Sequence, residues 1–313
     1  MKVLALAGGV GGAKLAAGLQ AALPPKDLAV VVNTADDFEL WDLHVSPDLD
    51  TVMYTLAGIA NPQTGWGVRD ETFDTLEMLG RYGEDTWFKL GDRDLATHIL
   101  RTHRLHRGES LTEITTDLAS ALGIEGAVLP MCDEPVSTLV YTPDGPLEFQ
   151  DYFVRRGQRD EVLGIALRGI EGTRIPPAVS EALAEAGLVV FCPSNPLVSL
   201  GPILAVGGMA EALISAPAPK IAVSPIVGGR ALKGPADKMM YSLGHEVSAT
   251  GVARLYEGVV DAMVVDRVDA GEEKNIAALG METLVTDTVM RGAGDRERLA
   301  REILGFGAEL GPE

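Results

Sequence analysis

Cysteine is nearly absent. Cys132 and Cys192 are the two in 313 residues, too few for a disulfide framework or a cysteine-based zinc site. Both lie in apolar surroundings and read as buried free thiols. Positive charge is also scarce: 26 Lys and Arg stand against 45 Asp and Glu, a formal net charge of −19. Such a surface repels phosphate backbones and anionic lipid, which excludes a general nucleic-acid or membrane-surface binder. A small phosphorylated ligand is not excluded, because a metal ion and a few local cations reverse the sign of one cleft. No run approaches the ~18 consecutive apolar residues of a membrane span. The first apolar run breaks at glycines without a cleavage-type segment, so no secretory signal is expected and the expected location is cytoplasmic. The five histidines show no metal-ligand spacing, and no Ser/His/Asp nucleophile arrangement assembles. Linkers, low-complexity tracts and internal repeats are missing too.

What is present is a rhythm of short apolar run, loop and amphipathic segment. Strand-like runs are Val3–Ala7, Leu28–Val32, Ala127–Leu129, Val162–Leu167, Leu188–Phe191, Lys220–Val223, Ala262–Val265 and Thr283–Val285. Helical patterns lie between many of them, and the one at 111–122 opens on a capping box, Ser110 with Glu113. Strands buried on both faces read as continuous apolar runs, and most of these do. The pattern predicts a doubly wound, mostly parallel, Rossmann-like α/β sheet. Ser137–Tyr141, the turn Pro143-Asp144-Gly145 and Leu147–Val154 predict a β-hairpin instead. One α/β domain over 1–313 is expected, with a helical and β-hairpin cap subdomain at 62–155.

The chemistry-bearing residues cluster at predicted strand ends. After the first strand comes Gly8-Gly9-Val10-Gly11-Gly12-Ala13-Lys14. Gly8, Gly9, Gly11 and Gly12 let backbone N–H groups approach a phosphate at a helix N-terminus, where the dipole favours negative charge. The spacing matches neither a Walker A loop nor a dinucleotide fingerprint, and a tight turn serving only helix–sheet packing is the bland alternative. Lys14 either reaches a phosphate or sits in solvent. After the second strand come Asp36, Asp37, Asp42, Asp48 and Asp50, interrupted by Trp41 and His44. Ligands of open α/β sheets gather outside the carboxyl ends of the strands, and two acids suffice for a magnesium ion that fills its other positions with water and phosphate oxygens. A solvated acidic face is the alternative, and Ser46-Pro47-Asp48 also has the form of a helix start.

Lys89-Leu90-Gly91-Asp92-Arg93-Asp94 offers Lys89 or Arg93 as counter-charge to a diphosphate, against an exposed helix start with surface ion pairs. Pro193-Ser194-Asn195-Pro196 and Ser224-Pro225-Ile226-Val227-Gly228-Gly229 follow further predicted strands. Ser194, Asn195, Ser224 and Gly228 supply hydroxyl, amide and backbone donors suited to phosphate or base recognition. Trp41, Trp66 and Trp87 all fall in one short stretch, either as core or as stacking surface for a planar ligand. His98, on an apolar helix face, reads as a packing residue.

These segments carry a resemblance. Gly8–Leu15, Val32–Asp37, Ser46–Val52 and Lys89–Asp94 resemble the 2-phospho-L-lactate transferase family. So do Leu129-Pro130-Met131, Pro135–Thr138, Phe149-Gln150-Asp151, Pro193–Pro196 and Val223–Ile226. The resemblance runs in order along nearly the whole chain and adds little beyond about residue 290. It implies a magnesium-dependent cytoplasmic transferase of coenzyme F(420) biosynthesis, as a homodimer. Such an enzyme moves a phospholactyl-type group, or a phosphoenolpyruvyl or phosphoglyceryl one, from a guanosine diphosphate adduct, lactyl-2-diphospho-5'-guanosine. The acceptor is the ribityl hydroxyl of the deazaflavin Fo (7,8-didemethyl-8-hydroxy-5-deazariboflavin), and GMP is released. The family's pattern makes Asp50 and Lys89 contacts of Fo. On this reading Asp50 is the catalytic residue, taking the hydroxyl proton, and Asp36, Asp37 or Asp48 hold the metal. The rival is a non-enzymatic UDP-sugar-binding regulator of the gluconeogenesis-factor type. Those proteins share the glycine loop and paired acids but carry a Gly-Gly-Ser-Ser-type segment where Phe38-Glu39-Leu40-Trp41 stands here.

Overall fold

The computed structural model describes residues 1–311. Its strands are β1 (Val3–Ala7), β2 (Leu28–Val32), β3 (Phe38–Leu40), β4 (Leu43–Val45), β5 (Ala127–Pro130), β6 (Ser137–Thr142), β7 (Gly145–Glu148), β8 (Gly164–Arg168), β9 (Leu188–Phe191), β10 (Lys220–Val223), β11 (Ile226–Val227), β12 (Arg230–Ala231), β13 (Ala262–Asp266) and β14 (Glu282–Thr286). Its helices are α1 (Gly9–Ala22), α2 (Pro47–Leu56), α3 (Asp74–Arg81), α4 (Asp92–Leu105), α5 (Leu111–Ala121), α6 (Pro177–Glu185), α7 (Leu200–Ala205), α8 (Met209–Ser215), α9 (Ala236–Ser242), α10 (Ala249–Leu255), α11 (Glu273–Ala277) and α12 (Ala293–Leu310).

Seven strands form one sheet in the order β14-β13-β10-β9-β1-β2-β5, with parallel pairing throughout. Alternation along each strand sends side chains to two cores. Val3, Ala5 and Ala7 of β1 join α1, α2 and α12 on one face. Leu4 and Leu6 join α6 to α11 on the other. From β1 the chain builds outward first to β2 and β5, then from β9 in the opposite direction. The topological switch therefore lies between β1 and β9, the place where an open α/β sheet leaves a crevice outside its carboxyl edge. Among the described residues, no helix is long and apolar enough to cross a membrane.

The doubly wound sheet of the sequence reading is present, as is the Ser110–Glu113 capping box on α5. One strand falls elsewhere. Residues 162–167 were expected to share the rhythm of the main sheet, but β8 pairs antiparallel with β6, beside β7, in a separate three-stranded sheet. Its residues are half-buried or exposed, the environment of an outlying sheet rather than a two-sided core. Of the stretch 62–155, β5 belongs to the central sheet and α5 packs beside it, while α3, α4 and the β6–β7 hairpin stand over its carboxyl edge. The β3–β4 hairpin was not anticipated. Its turn, Trp41-Asp42, takes positive φ at both positions (51° and 58°) without a glycine, so it lacks the usual sequence cue.

Helices α1 and α12 cross at Gly18, where a Cβ would meet the Arg296 carbonyl oxygen at 2.2 Å. Backbone cannot yield as a flexible side chain does, so Gly18→Ala forces the helices apart. We expect a loss of about 1–3 kcal/mol, a fall of several degrees in Tm by calorimetry. An unchanged Tm would mean that α12 does not seat on α1 as described.

Candidate active site

The seam between β1 and β9 is held by backbone and hydroxyl contacts too close for most side chains. Ser194 Oγ accepts from the Gly8 amide at 3.0 Å and donates to the Gly8 carbonyl at 2.8 Å. A Cβ on Gly11 would lie 2.3 Å from the Pro193 carbonyl oxygen. Gly9 has φ +61°, a conformation that glycine takes without strain. These contacts bring the N-terminal turn of α1 against the loop after β9. Above the seam opens a cleft of about 870 Å³.

Its floor is acidic. Asp36, after β2, and Asp48 and Asp50, in the first turn of α2, all line it. They are nearly inaccessible to solvent. Burial pushes the Asp48 carboxyl up to about 6, partly opposed by a hydrogen bond from Asn33 Nδ2 at 3.0 Å and reinforced by the nearby Asp37 charge. Burial, with the charges of Asp48 and Asp37, drives Asp36 well above the ordinary carboxylate range. Asp36 Oδ1 and Asp37 Oδ1 are buried without a hydrogen-bond partner. A sheltered cluster of carboxylates, in which Asp36 keeps an unpaired oxygen, has the donor chemistry of a hard divalent cation site.

The walls differ in character. On the side of β1 and β14 stand Lys14, Lys233 and Arg291. Lys14 Nζ donates to the Met290 carbonyl at 3.2 Å, and burial beside Lys233 and Arg296 lowers its pKa. The loop carrying Met290 and Arg291 is fixed by Asp266, which accepts from the Thr288 amide at 2.9 Å and its hydroxyl at 3.1 Å. Lys233 Nζ reaches across the mouth to the Thr64 carbonyl at 3.0 Å. Trp66, Trp87, Phe88, Phe149 and Phe153 give the cleft aromatic lining, and Lys89 lines it as well. Phe149 and Phe153 stack at 5.4 Å, and Trp87 meets Phe88 edge-on at 5.4 Å.

The structure thus gathers Gly8, Gly9, Gly11, Lys14, Asp36, Asp48, Asp50, Lys89, Ser194, Asn195 and Ser224 around one cleft. It sets others apart. Gly12 packs on Ser194 and Ala7 and does not face the cavity. The Gly228 amide is spent on Asp269, at 3.0 Å, beyond the cleft wall. Asp37 turns behind Asp36, where Oδ2 accepts from Ser46 Oγ at 2.6 Å and pairs with His44 Nε2 at 3.0 Å. Asp42 is exposed at the hairpin tip. Arg93 is outside too, donating to the Arg69 carbonyl at 3.1 Å. Asn195 Oδ1 is engaged by the Leu197 amide at 2.9 Å, and Ser224 Oγ by Ile226, so both shape their loops. Of the tryptophans, Trp66 and Trp87 face the cleft, while Trp41 packs beside Val45, Leu90 and Leu95.

His98 is buried, as expected of a packing residue, but its neighbours are Asp50 and Asp94, and the Arg101 that grips Asp50 drew no reading from the sequence. Asp94, His98 and Arg101 share one face of α4. That polar stripe was present in the sequence, but its partners lie on α2, some fifty residues away.

Comparison with known proteins matches this arrangement to one family. A family model described as 2-phospho-L-lactate transferase CofD matches residues 3–296. The chain is 42% identical to a phosphoenolpyruvate transferase of Streptomyces griseus, with 99% of each chain covered. It is 41% identical to a 2-phospho-L-lactate transferase of Methanosarcina acetivorans, covering 97% of this chain and 98% of that one. A Methanocaldococcus jannaschii protein of the latter name is 39% identical over 98% of this chain and 99% of its own. Among solved structures, a UPF0052 family member from Bacillus halodurans shares the fold, with TM-score 0.66 at 17% identity over 97% of this chain and 98% of that one. The chain belongs to the 2-phospho-L-lactate transferase family.

Proposed function

We propose that this protein transfers a phospholactyl-type group from a guanosine diphosphate adduct to the ribityl hydroxyl of Fo, releasing GMP, in the formation of coenzyme F(420). The observation that supports this reading is the make-up of a single cleft. Its lining combines a glycine turn with Lys14, Lys233 and Arg291 as a first set of groups, aromatic rings with Lys89 as a second, and buried acids. A nucleoside diphosphate matches the first set, where helix N-terminal amides and ammonium groups offset its charge. A planar tricyclic deazaflavin matches the second. Family membership narrows the transferred group to the phospholactyl class, and the enolpyruvyl and glyceryl variants differ from it by a few atoms.

In this reading Asp50 accepts a hydrogen bond from the attacking hydroxyl, and Lys89 holds the acceptor. The α1 turn and Lys14 orient the donor diphosphate, so that the hydroxyl approaches phosphorus in line with departing GMP. Asp36 and Asp48 are the residues suited to hold Mg²⁺, which when bound offsets charge on the phosphoryl oxygens. The UDP-sugar-binding alternative has no observation in this cleft that favours it.

The direct test is mass spectrometry of Fo incubated with Mg²⁺ and the lactyl, enolpyruvyl or glyceryl guanosine diphosphate adduct. GMP and the phosphodiester of Fo are expected with one of them. Absence of product with all three, together with a rise in Tm from UDP-N-acetylglucosamine but none from Fo plus GDP, would overturn the reading.

The acids give a second test. The Asp48 carboxyl titrates near the ordinary value of 3.8 when unfolded and at about 6 when folded. The native state therefore binds more protons between those values, and metal-free stability falls as pH rises from about 4 through about 6. The loss attributable to Asp48 is on the order of 2–3 kcal/mol. Millimolar Mg²⁺ at pH 8 should recover part of it, and Asp48→Asn should flatten the pH dependence of Tm and blunt the Mg²⁺ response. A metal-insensitive Tm in the wild type would remove these acids from cation binding.

A further inference from the structure

Helices α2 and α4 meet through charge where packed helices usually meet through apolar side chains. Asp94, His98 and Arg101 lie at i, i+4 and i+7 on α4 and are 7%, 1% and 0% exposed. They face Asp50 and Tyr54, at i and i+4 on α2, which are 4% and 2% exposed. Arg101 donates to both oxygens of Asp50, from Nη1 to Oδ2 at 3.1 Å and from Nη2 to Oδ1. Nη1 also lies 3.4 Å from His98 Nδ1. A guanidinium only donates, so Nδ1 is the accepting nitrogen and the imidazole proton resides on Nε2. That nitrogen lies 3.3 Å from Asp94 Oδ1 but makes no hydrogen bond to it. Asp94 Oδ1 in turn accepts from the Tyr54 hydroxyl at 2.8 Å. Two hydrogen-bonded sets therefore lie side by side, Tyr54 with Asp94 and His98 with Arg101 and Asp50.

Stability does not explain the arrangement. A buried ion pair is generally no better than apolar residues of the same volume, since the desolvation of both charges offsets their attraction. Burial opposes the charge on Arg101, and the Asp50 carboxylate beside it overrides that opposition. Asp50, Asp94 and His98 are close enough together to hold a metal ion, but the Arg101 guanidinium occupies the oxygens that would bind it and would repel a second cation. What the network does achieve is rotational. Two parallel N–H···O contacts set the plane of a carboxylate, and this carboxylate lines the same cleft as Lys89 and Trp87.

We propose that Arg101 is a positioning residue for Asp50, with His98 against its Nη1, and that this pair of contacts sets the aim of the acceptor-site carboxylate. The proposal rests on the reading of Asp50 as the residue that meets the Fo hydroxyl. In it, α4 has two tasks: its N-terminal approach presents Lys89 to the cleft, and its buried face fixes Asp50 from behind. Arg101 touches no substrate and acts only through Asp50.

The test is a double-mutant cycle on ligand affinity, with Fo and GDP titrated separately by calorimetry. Arg101→Gln in the wild-type background should weaken Fo binding by about 10-fold or more and leave GDP affinity within about 2-fold. In an Asp50→Asn background the same substitution should change Fo affinity by less than about 2-fold, because the residue it acts through is gone. Arg101→Lys, which keeps the charge but not the fork, should recover less than half of the lost binding free energy. Where Arg101→Gln does not fold, His98→Gln removes no buried charge and should show the same dependence on Asp50 at about 3-fold. An equal loss of Fo affinity in both backgrounds, or equal losses for Fo and GDP, would overturn the proposal while leaving the transferase reading intact. Failure of the wild type to bind Fo at all would remove that reading and this inference with it.

Discussion

The site depends on how closely the backbone after β1 approaches the backbone after β9. Gly11 leaves no room for a side chain against the Pro193 carbonyl, and Ser194 bonds to both the amide and the carbonyl of Gly8. That contact closes the topological switch of the sheet. It also aims the first turn of α1 at the space where the sheet's two halves diverge. An N-terminal turn without acidic residues is positive on its own account. A chain of net charge −19 thereby acquires one location that attracts anions, completed by Lys14 from within the same helix and by Lys233 and Arg291 from loops.

The acidic floor is the opposite case, a local concentration of the charge that the chain carries in excess. Burial and the Asp37 charge raise both Asp36 and Asp48, and Asp48 raises Asp36 further, so the folded protein holds them at a cost. Asn33 offsets part of it through Asp48. Such a cluster is poorly explained as packing, since an apolar floor would be more stable. Its place in the same cleft as the cations and the aromatic rings is what joins the two halves of the proposed reaction.

Much of this was legible in the sequence because burial on both faces leaves a plain signature. β1, β2, β9, β10 and β13 are continuous apolar runs, and the loops that follow β1, β2 and β9 carry the glycines, acids and Ser-Asn-Pro segment that meet at the cleft. β8 was misplaced because Gly164–Arg168 is apolar enough to read as a core strand, and only its pairing partners reveal otherwise. The Asp36-Asp37 pair shows the limit of position alone: adjacent residues at a strand end point to opposite sides, so one faces the cleft and its neighbour bonds Ser46 and His44. His98 read as a packing residue, and Arg101 drew no reading at all. Their burial follows from α2, and no local pattern on α4 announces it.

Helix α2 shows why these groups can be held so firmly. Leu49, Val52, Met53 and Leu56 enter the core shared with α1. Asp50 and Tyr54 meet the polar face of α4, and Asp48 reaches Gly9, where a Cβ would lie 3.4 Å from its Oδ1. Nearly every residue from Asp48 to Leu56 is buried, so the helix has no solvent face along which to slide or rotate. Pro47 fixes the entry to its first turn. A carboxylate mounted on such an element keeps its direction because displacing it would disturb the core, the α4 network and the glycine turn together. Rigid support from several sides is what a reactive constellation requires, and here it arises because one short helix is enclosed by three different kinds of contact.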